Sequence, residues 1–120
     1  MKITHLFVDN SGVSHFKDIE IETNLIDFAP PAPKVGVSRP IEAKRQLFLV
    51  LPKDWFGDMH PAPNRQLMTI VTGALEVTAS DGVKHTFKPG DTALVEDTVG
   101  EGHATKNAGS SETMLTVVQY

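Results

Sequence analysis

Three observations predict an all-β domain. Apolar and polar residues alternate at period two through most of the chain, as a sheet with one buried face requires. Turn clusters punctuate it: Thr72-Gly73, Ser80-Asp81-Gly82, Lys88-Pro89-Gly90, Val99-Gly100-Glu101-Gly102 and Ala108-Gly109-Ser110-Ser111. No window of about 11 residues shows helical spacing with caps. Short strands with turns every eight to twelve residues or so make a β-sandwich or barrel. At 120 residues there is room for one core and one domain.

The elements follow in order. Ile3–Val8 and His15–Glu22 flank Asp9-Asn10-Ser11-Gly12, so residues 1–29 are expected to hold a hairpin, with Ile19 and Ile21 buried between wet Glu20 and Glu22. Residues 30–40 open on Pro30-Pro31-Ala32-Pro33. Proline fixes extended backbone and cannot donate to a ladder, so this segment is expected to be a strap crossing between two β regions. Residues 45–120 hold the barrel. Arg45–Leu51 is a continuous apolar run, as in a strand covered on both sides. Gln66–Thr72, Ala74–Ala79, Val83–Phe87, Thr92–Val95, His103–Asn107 and Thr113–Gln119 complete the strands.

Composition narrows the function. Eleven Lys and Arg against fifteen Asp and Glu give a net charge of −4, which disfavours nucleic-acid and anionic-membrane binding, since both need a basic surface. The charge is uneven: −3 over residues 1–29 (two Lys, five acids), +3 over 30–66 (six basic, three acids), −4 over 67–120 (three Lys, seven acids). With no cysteine, thiolate metal sites and thiol nucleophiles are excluded, and five histidines are left to supply any nitrogen ligands. No secretory leader or span of about 18 apolar residues is present, so a cytoplasmic protein is the default expectation. There is no Gly-x-Gly-x-x-Gly, phosphate loop or Gly-x-Ser-x-Gly elbow, hence no support for a nucleotide cofactor or a serine hydrolase.

Two stretches carry a family resemblance. Gly57-Asp58-Met59-His60-Pro61-Ala62-Pro63-Asn64-Arg65-Gln66, running on to Gly73, resembles the first cupin motif. Lys88-Pro89-Gly90-Asp91 through His103 and Asn107 resembles the second. The chain is therefore identified as similar to small single-domain cupins. The resemblance implies a double-stranded β-helix, an antiparallel jelly-roll barrel with its site in one mouth. By the motif, His60 and His103 hold histidine positions, Ala62 stands where a second histidine would be, and Gln66 replaces a glutamate. The implied metal ligands are thus His60, Gln66 and His103, for a divalent ion such as Zn, Fe, Ni or Mn. The lost histidine and lost anion argue against tight occupancy.

Around them, Met59, Gln66, Met68 and Glu101 are expected to contact substrate, with His60 and His103 as the catalytic pair. Trp55, Phe48 and Phe87 are further candidates for an apolar wall. Glu96, Asp97 and Glu101 precede His103, where they read as a solvated acidic loop or, functionally, as partners that orient His103 or as acid–base groups in a metal-free site; Arg65 is expected to point outward as a rim or surface charge. His5, His15 and His85 read as surface residues. Three functions remain open: a metal-assisted enzyme on a small organic substrate (oxygenase, isomerase or lyase), a ligand-binding or sensor cupin with a decayed metal site, and metal-free acid–base catalysis by histidine. A homodimer is the expected assembly, extended through the N-terminal hairpin.

Overall fold

The computed structural model describes residues 1–120, and every regular element in it is a strand. In chain order these are β1 (Lys2–Val8), β2 (Ser14–Glu20), β3 (Thr23–Ile26), β4 (Val35–Ser38), β5 (Arg45–Leu51), β6 (Phe56–His60), β7 (Gln66–Thr72), β8 (Leu75–Ala79), β9 (Lys84–Phe87), β10 (Thr92–Val95), β11 (His103–Asn107) and β12 (Thr113–Gln119). A six-stranded sheet runs β2-β1-β10-β7-β12-β5 and a four-stranded sheet runs β6-β11-β8-β9. Both are open, giving a two-sheet jelly-roll sandwich in place of a single closed sheet. One pairing departs from the antiparallel expectation: β1 lies parallel to β10, with Thr4 opposite Ala93.

The core lies between the sheets. Leu6, Met68, Ile70, Leu115 and Val117 from the larger sheet meet Leu75, Val77, Ala79 and Phe87 from the smaller. Each comes from an alternate position on its strand, which is why period two was the informative signal. Asn107 ties the far end together: its Nδ2 donates to the carbonyls of Leu51, Pro52 and Ser111, and its Oδ1 accepts from Gly109 N and Thr113 Oγ1. Gly73 closes β7 at φ +84°, and a Cβ there would meet the Thr113 side chain at 2.3 Å. Glycine is required for both reasons.

Three local expectations need correction. The segment from Pro30 is no crossing strap: Val35–Ser38 pairs back on Thr23–Ile26, Ile26 opposite Val35, as a separate hairpin that joins neither large sheet. The prolines occupy its turn, where a missing N–H costs nothing. Strand β5 is not covered on both sides; it is the sheet's edge, and Phe48 is 71% exposed. His15 and His85 are not simple surface residues. His15 bridges Asp9 (Nε2, 2.7 Å) and Asp81 (Nδ1, 2.9 Å), while His85 packs 4.3 Å from the Phe87 ring, centroid to centroid. A further strand, β6, lies in a stretch that the apolar pattern did not mark.

The two outer faces differ sharply. On the four-stranded sheet Glu76 lies between Lys84 (3.6 Å) and Lys106 (3.4 Å). On the six-stranded sheet, registers place Phe48 and Val50 of β5 beside Thr116 and Met114 of β12; Val118 then faces Leu67, and Leu67 faces Leu94. No Lys, Arg, Asp or Glu occupies an outward position on β5, β12, β7 or β10.

Candidate functional site

A cavity of about 110 Å³ lies between the sheets, lined by 16 residues of which 12 are hydrophobic. Two of its polar residues are neighbours. His60 ends β6, His103 begins β11, and the two are directly paired in the ladder, with ring centroids 4.9 Å apart. Gly102 allows that approach: at φ +75° it packs so closely that a Cβ would lie 2.0 Å from the His60 carbonyl oxygen. Any side chain there would push the two histidine strands apart.

Each imidazole is fixed through Nδ1. Nδ1 of His103 lies 2.6 Å from Oδ2 of Asp97, a carboxylate with no solvent exposure, and Nδ1 of His60 donates to the Asp58 carbonyl at 2.6 Å. Nε2 is thereby the free nitrogen of each ring. Asp97 Oδ1 has no protein partner, although its backbone carbonyl accepts from Ala62 N at 3.0 Å. His103 is itself buried, whereas His60 stands exposed at the rim.

Gln66 and Thr105 complete the polar lining. The Gln66 amide is oriented by a relay that sequence reasoning missed. Arg45 Nε donates to Gln119 Oε1 at 2.6 Å, and Gln119 Nε2 donates to Gln66 Oε1 at 3.1 Å. The Gln66 oxygen is therefore engaged, and its N–H groups are what it has left to offer. Parity within β12 carries the missed signal: Gln119 shares its side with buried Leu115 and Val117. Thr105 likewise lies two residues beyond His103.

Placement of the other expected residues is mixed. Met68, Trp55 and Phe87 line the cavity. Met59 and Glu101 do not; both are exposed, so the substrate-contacting roles expected of them lack a cavity to act in. Phe48 points away from it on β5, while Leu49 and Leu51 of the same strand line it. Of the three acids before His103, only Asp97 holds the histidine.

Glu96 turns instead to Arg65, whose guanidinium it binds and which stacks 4.9 Å from the Tyr120 ring. That ion pair holds Arg65 above its ordinary pKa. His5 Nε2 lies 3.0 Å from Glu96 Oε1 without hydrogen-bond alignment, and burial pushes its pKa down despite the nearby carboxylate.

A metal shell fits these residues poorly. No group of three His, Cys, Asp or Glu side chains is arranged to hold a metal ion. Ala62 is packed into the apolar core, and the Gln66 oxygen is already bonded. Two Nε2 atoms alone do not make the three- or four-ligand set that holds a divalent transition metal.

The pairing of motif strands across a jelly-roll mouth matches what a family comparison finds: the model described as "Cupin domain" matches residues 46–119, more than half of the chain. The chain belongs to the cupin family. Among solved structures, this cupin is similar to Drosophila melanogaster CENP-C bound to CAL1 (15% identity, 80% of each chain, TM-score 0.53). It is also similar to the Drosophila melanogaster CENP-C cupin domain (14% identity, 93% of this chain and 83% of that one, TM-score 0.52). A third is a putative ethanolamine utilization protein Q from Salmonella typhimurium LT2 (14% identity, 100% and 95%, TM-score 0.51). At these identities the likeness is one of fold. No curated protein matches the sequence. No helix of the chain is long and apolar enough to cross a membrane.

Proposed function

We propose that this cupin binds a small organic molecule in the cavity, with an apolar body between the sheets and one hydroxyl or carboxyl group at His60, Gln66 and His103. The reading rests on one observation: two paired histidines, each fixed through Nδ1, line an otherwise largely apolar 110 Å³ space. At one water per roughly 10–15 Å³ on this measure, the space holds no more than about ten non-hydrogen atoms. Met68, Leu75, Val77, Phe87 and Leu115 enclose the body of such a ligand.

The chemistry at the head is proton exchange. A neutral imidazole with Nδ1–H donated to a carboxylate accepts a proton at Nε2, and the carboxylate stabilises the imidazolium that forms. His103 with Asp97 has that arrangement, and Gln66 N–H donates to the ligand oxygen as it gains negative charge. Where the substrate has an acidic proton, the site acts as an acid–base enzyme; where it has none, the same contacts make a binding protein. No metal is needed for either role.

Calorimetry on protein treated with chelator tests this, using monocyclic compounds of up to about ten heavy atoms with and without a hydroxyl or carboxylate. Head-bearing compounds are expected to bind roughly tenfold tighter than the parent hydrocarbon, the worth of about one good hydrogen bond. His103→Ala should erase the difference. Equal binding of both classes, or binding that returns only when Zn, Fe, Ni or Mn is added, would overturn the reading.

A further inference from the structure

Three polar residues lie in one row across three neighbouring strands. Gln119 of β12 stands opposite Gln66 of β7 on one side and opposite Arg45 of β5 on the other. Gln66 lines the cavity, Gln119 is 5% exposed and shares its side with Leu115 and Val117, and Arg45 shares its side with Leu49 and Leu51. Residues opposite one another on one face of a sheet have Cβ atoms about 5 Å apart, within reach of side-chain hydrogen bonds. Here Arg45 Nε donates to Gln119 Oε1 at 2.6 Å, and Gln119 Nε2 donates to Gln66 Oε1 at 3.1 Å. The row therefore runs from an exposed cation at the sheet's edge to an amide at the cavity.

The direction of the row is forced by its first member. An amide side chain can turn either its oxygen or its NH2 group to a neighbour, and the two differ in role but hardly in size. A guanidinium has no such choice, because every N–H of arginine donates and none accepts. Arg45 therefore requires the oxygen of Gln119 on its own side. That leaves the Gln119 NH2 group for Gln66, which answers with its oxygen. Only the Gln66 NH2 group then remains to meet a ligand. Turning Gln66 over would set NH2 against NH2 and leave a donor unpaired beside the buried Gln119, a costly arrangement. The charge on Arg45 also polarises both amides in the same sense, which strengthens the last N–H as a donor.

We propose that Arg45 and Gln119 determine the specificity of the cavity: through this row they hold Gln66 as a fixed donor, so the ligand selected is one whose head group accepts a hydrogen bond there. Hydroxyl, carbonyl and carboxyl oxygens fit. Primary amines and anilines of the same size do not, because their N–H groups oppose those of Gln66. The aniline nitrogen, its lone pair delocalised into the ring, accepts poorly. Histidines alone would not make this distinction, since the free nitrogen of a neutral imidazole accepts from a hydroxyl and an amine alike. Arg45 and Gln119 act only through Gln66 and are positioning residues. Their selection acts on the ligand proposed above for the cavity and rests on that reading.

Calorimetry on the full chain with phenol and aniline, rings of equal size, tests the selection. The wild type is expected to bind phenol roughly tenfold tighter than aniline. Gln119→Glu keeps a partner for Arg45 but can only accept, so Gln66 must donate to it and turn its oxygen to the cavity. The preference should then reverse, with aniline bound about tenfold tighter than phenol. Arg45→Met, at an exposed position, removes only the source of direction and should lose most of the preference, which settles the question if a carboxylate at position 119 disturbs folding. Arg45→Lys, which also only donates, should retain it. Without any ligand, NMR scalar coupling across the hydrogen bond should join the Gln119 NH2 group to the side-chain carbonyl carbon of Gln66. A coupling in the opposite sense, or one phenol-to-aniline ratio shared by the wild type, Gln119→Glu and Arg45→Met, overturns the selection and leaves the cavity reading standing. Failure of both compounds to bind, with the coupling as expected, overturns the cavity reading and the selection with it.

Discussion

The two large sheets divide the work of this cupin. The four-stranded sheet carries His60, His103 and Thr105 on its inner side and an ion-paired Glu76 on its outer side, so it faces water and holds the chemistry. The six-stranded sheet gives the cavity Met68, Leu115, Leu49 and Leu51, and its outer face over β5, β12, β7 and β10 carries Phe48, Val50 and Val71 among uncharged polar side chains. A strand that is apolar on both sides reads in sequence as fully buried. In Arg45–Leu51 it is an edge strand whose outer side no other element of the chain covers. Burial inferred from composition and burial within one chain are thus separate quantities, and their difference marks a surface.

The largest expected effect breaks the four-stranded sheet. Gly102→Ala combines a positive φ with a Cβ that would overlap the His60 backbone, and should cost roughly 3–5 kcal/mol in urea denaturation. A cost below about 1 kcal/mol would show that the β6–β11 pairing is loose and the histidine geometry not fixed by it. Next, Leu115→Ala removes an inner side chain of the six-stranded sheet that is 2% exposed, at about 2–4 kcal/mol by the same measurement.

How much of this was legible depended on the range of the signal. Period two and the Gly-Asp turns marked most strands because these are local features, and the motif positions led to His60, Gln66 and His103. Strand β6 escaped because Phe56-Gly57-Asp58-Met59-His60 has little apolar alternation; its pairing with β11 defines it. The relay from Arg45 through Gln119 to Gln66 joins residues 53 and 74 positions apart, a proximity that only the fold creates. Met59 and Glu101 were expected at the site from closeness in sequence to its histidines, and strand alternation and a loop carry them away from it.

Smaller effects sharpen the contrast on the outer faces. Glu76→Gln removes the partner of Lys84 and Lys106 at the surface and should cost no more than about 1 kcal/mol, fading in about 1 M salt. Smaller still is a pH effect at the joint between the β1–β2 turn and the β8–β9 turn. The carboxylates of Asp9 and Asp81 raise the pKa of His15 above 6.5, and His15 holds that of Asp9 below its usual value. A raised folded-state pKa gives stability that is fully present below about 6.5 and lost as pH rises through the folded value. Thermal unfolding of the wild type against His15→Asn should therefore differ most near pH 6 and converge above about pH 8. A difference that grows with pH would reverse the assignment.

The most direct test of the central claim is histidine ¹⁵N NMR on chelator-treated protein titrated with phenol, whose seven heavy atoms fall within the limit of about ten set by the cavity. The account expects saturable shifts at Nε2 of His103 and His60, stronger than with benzene, while His15 and His5 stay unmoved. Shifts at His15 or His5 with none at His103, or equal responses to phenol and benzene, would contradict it.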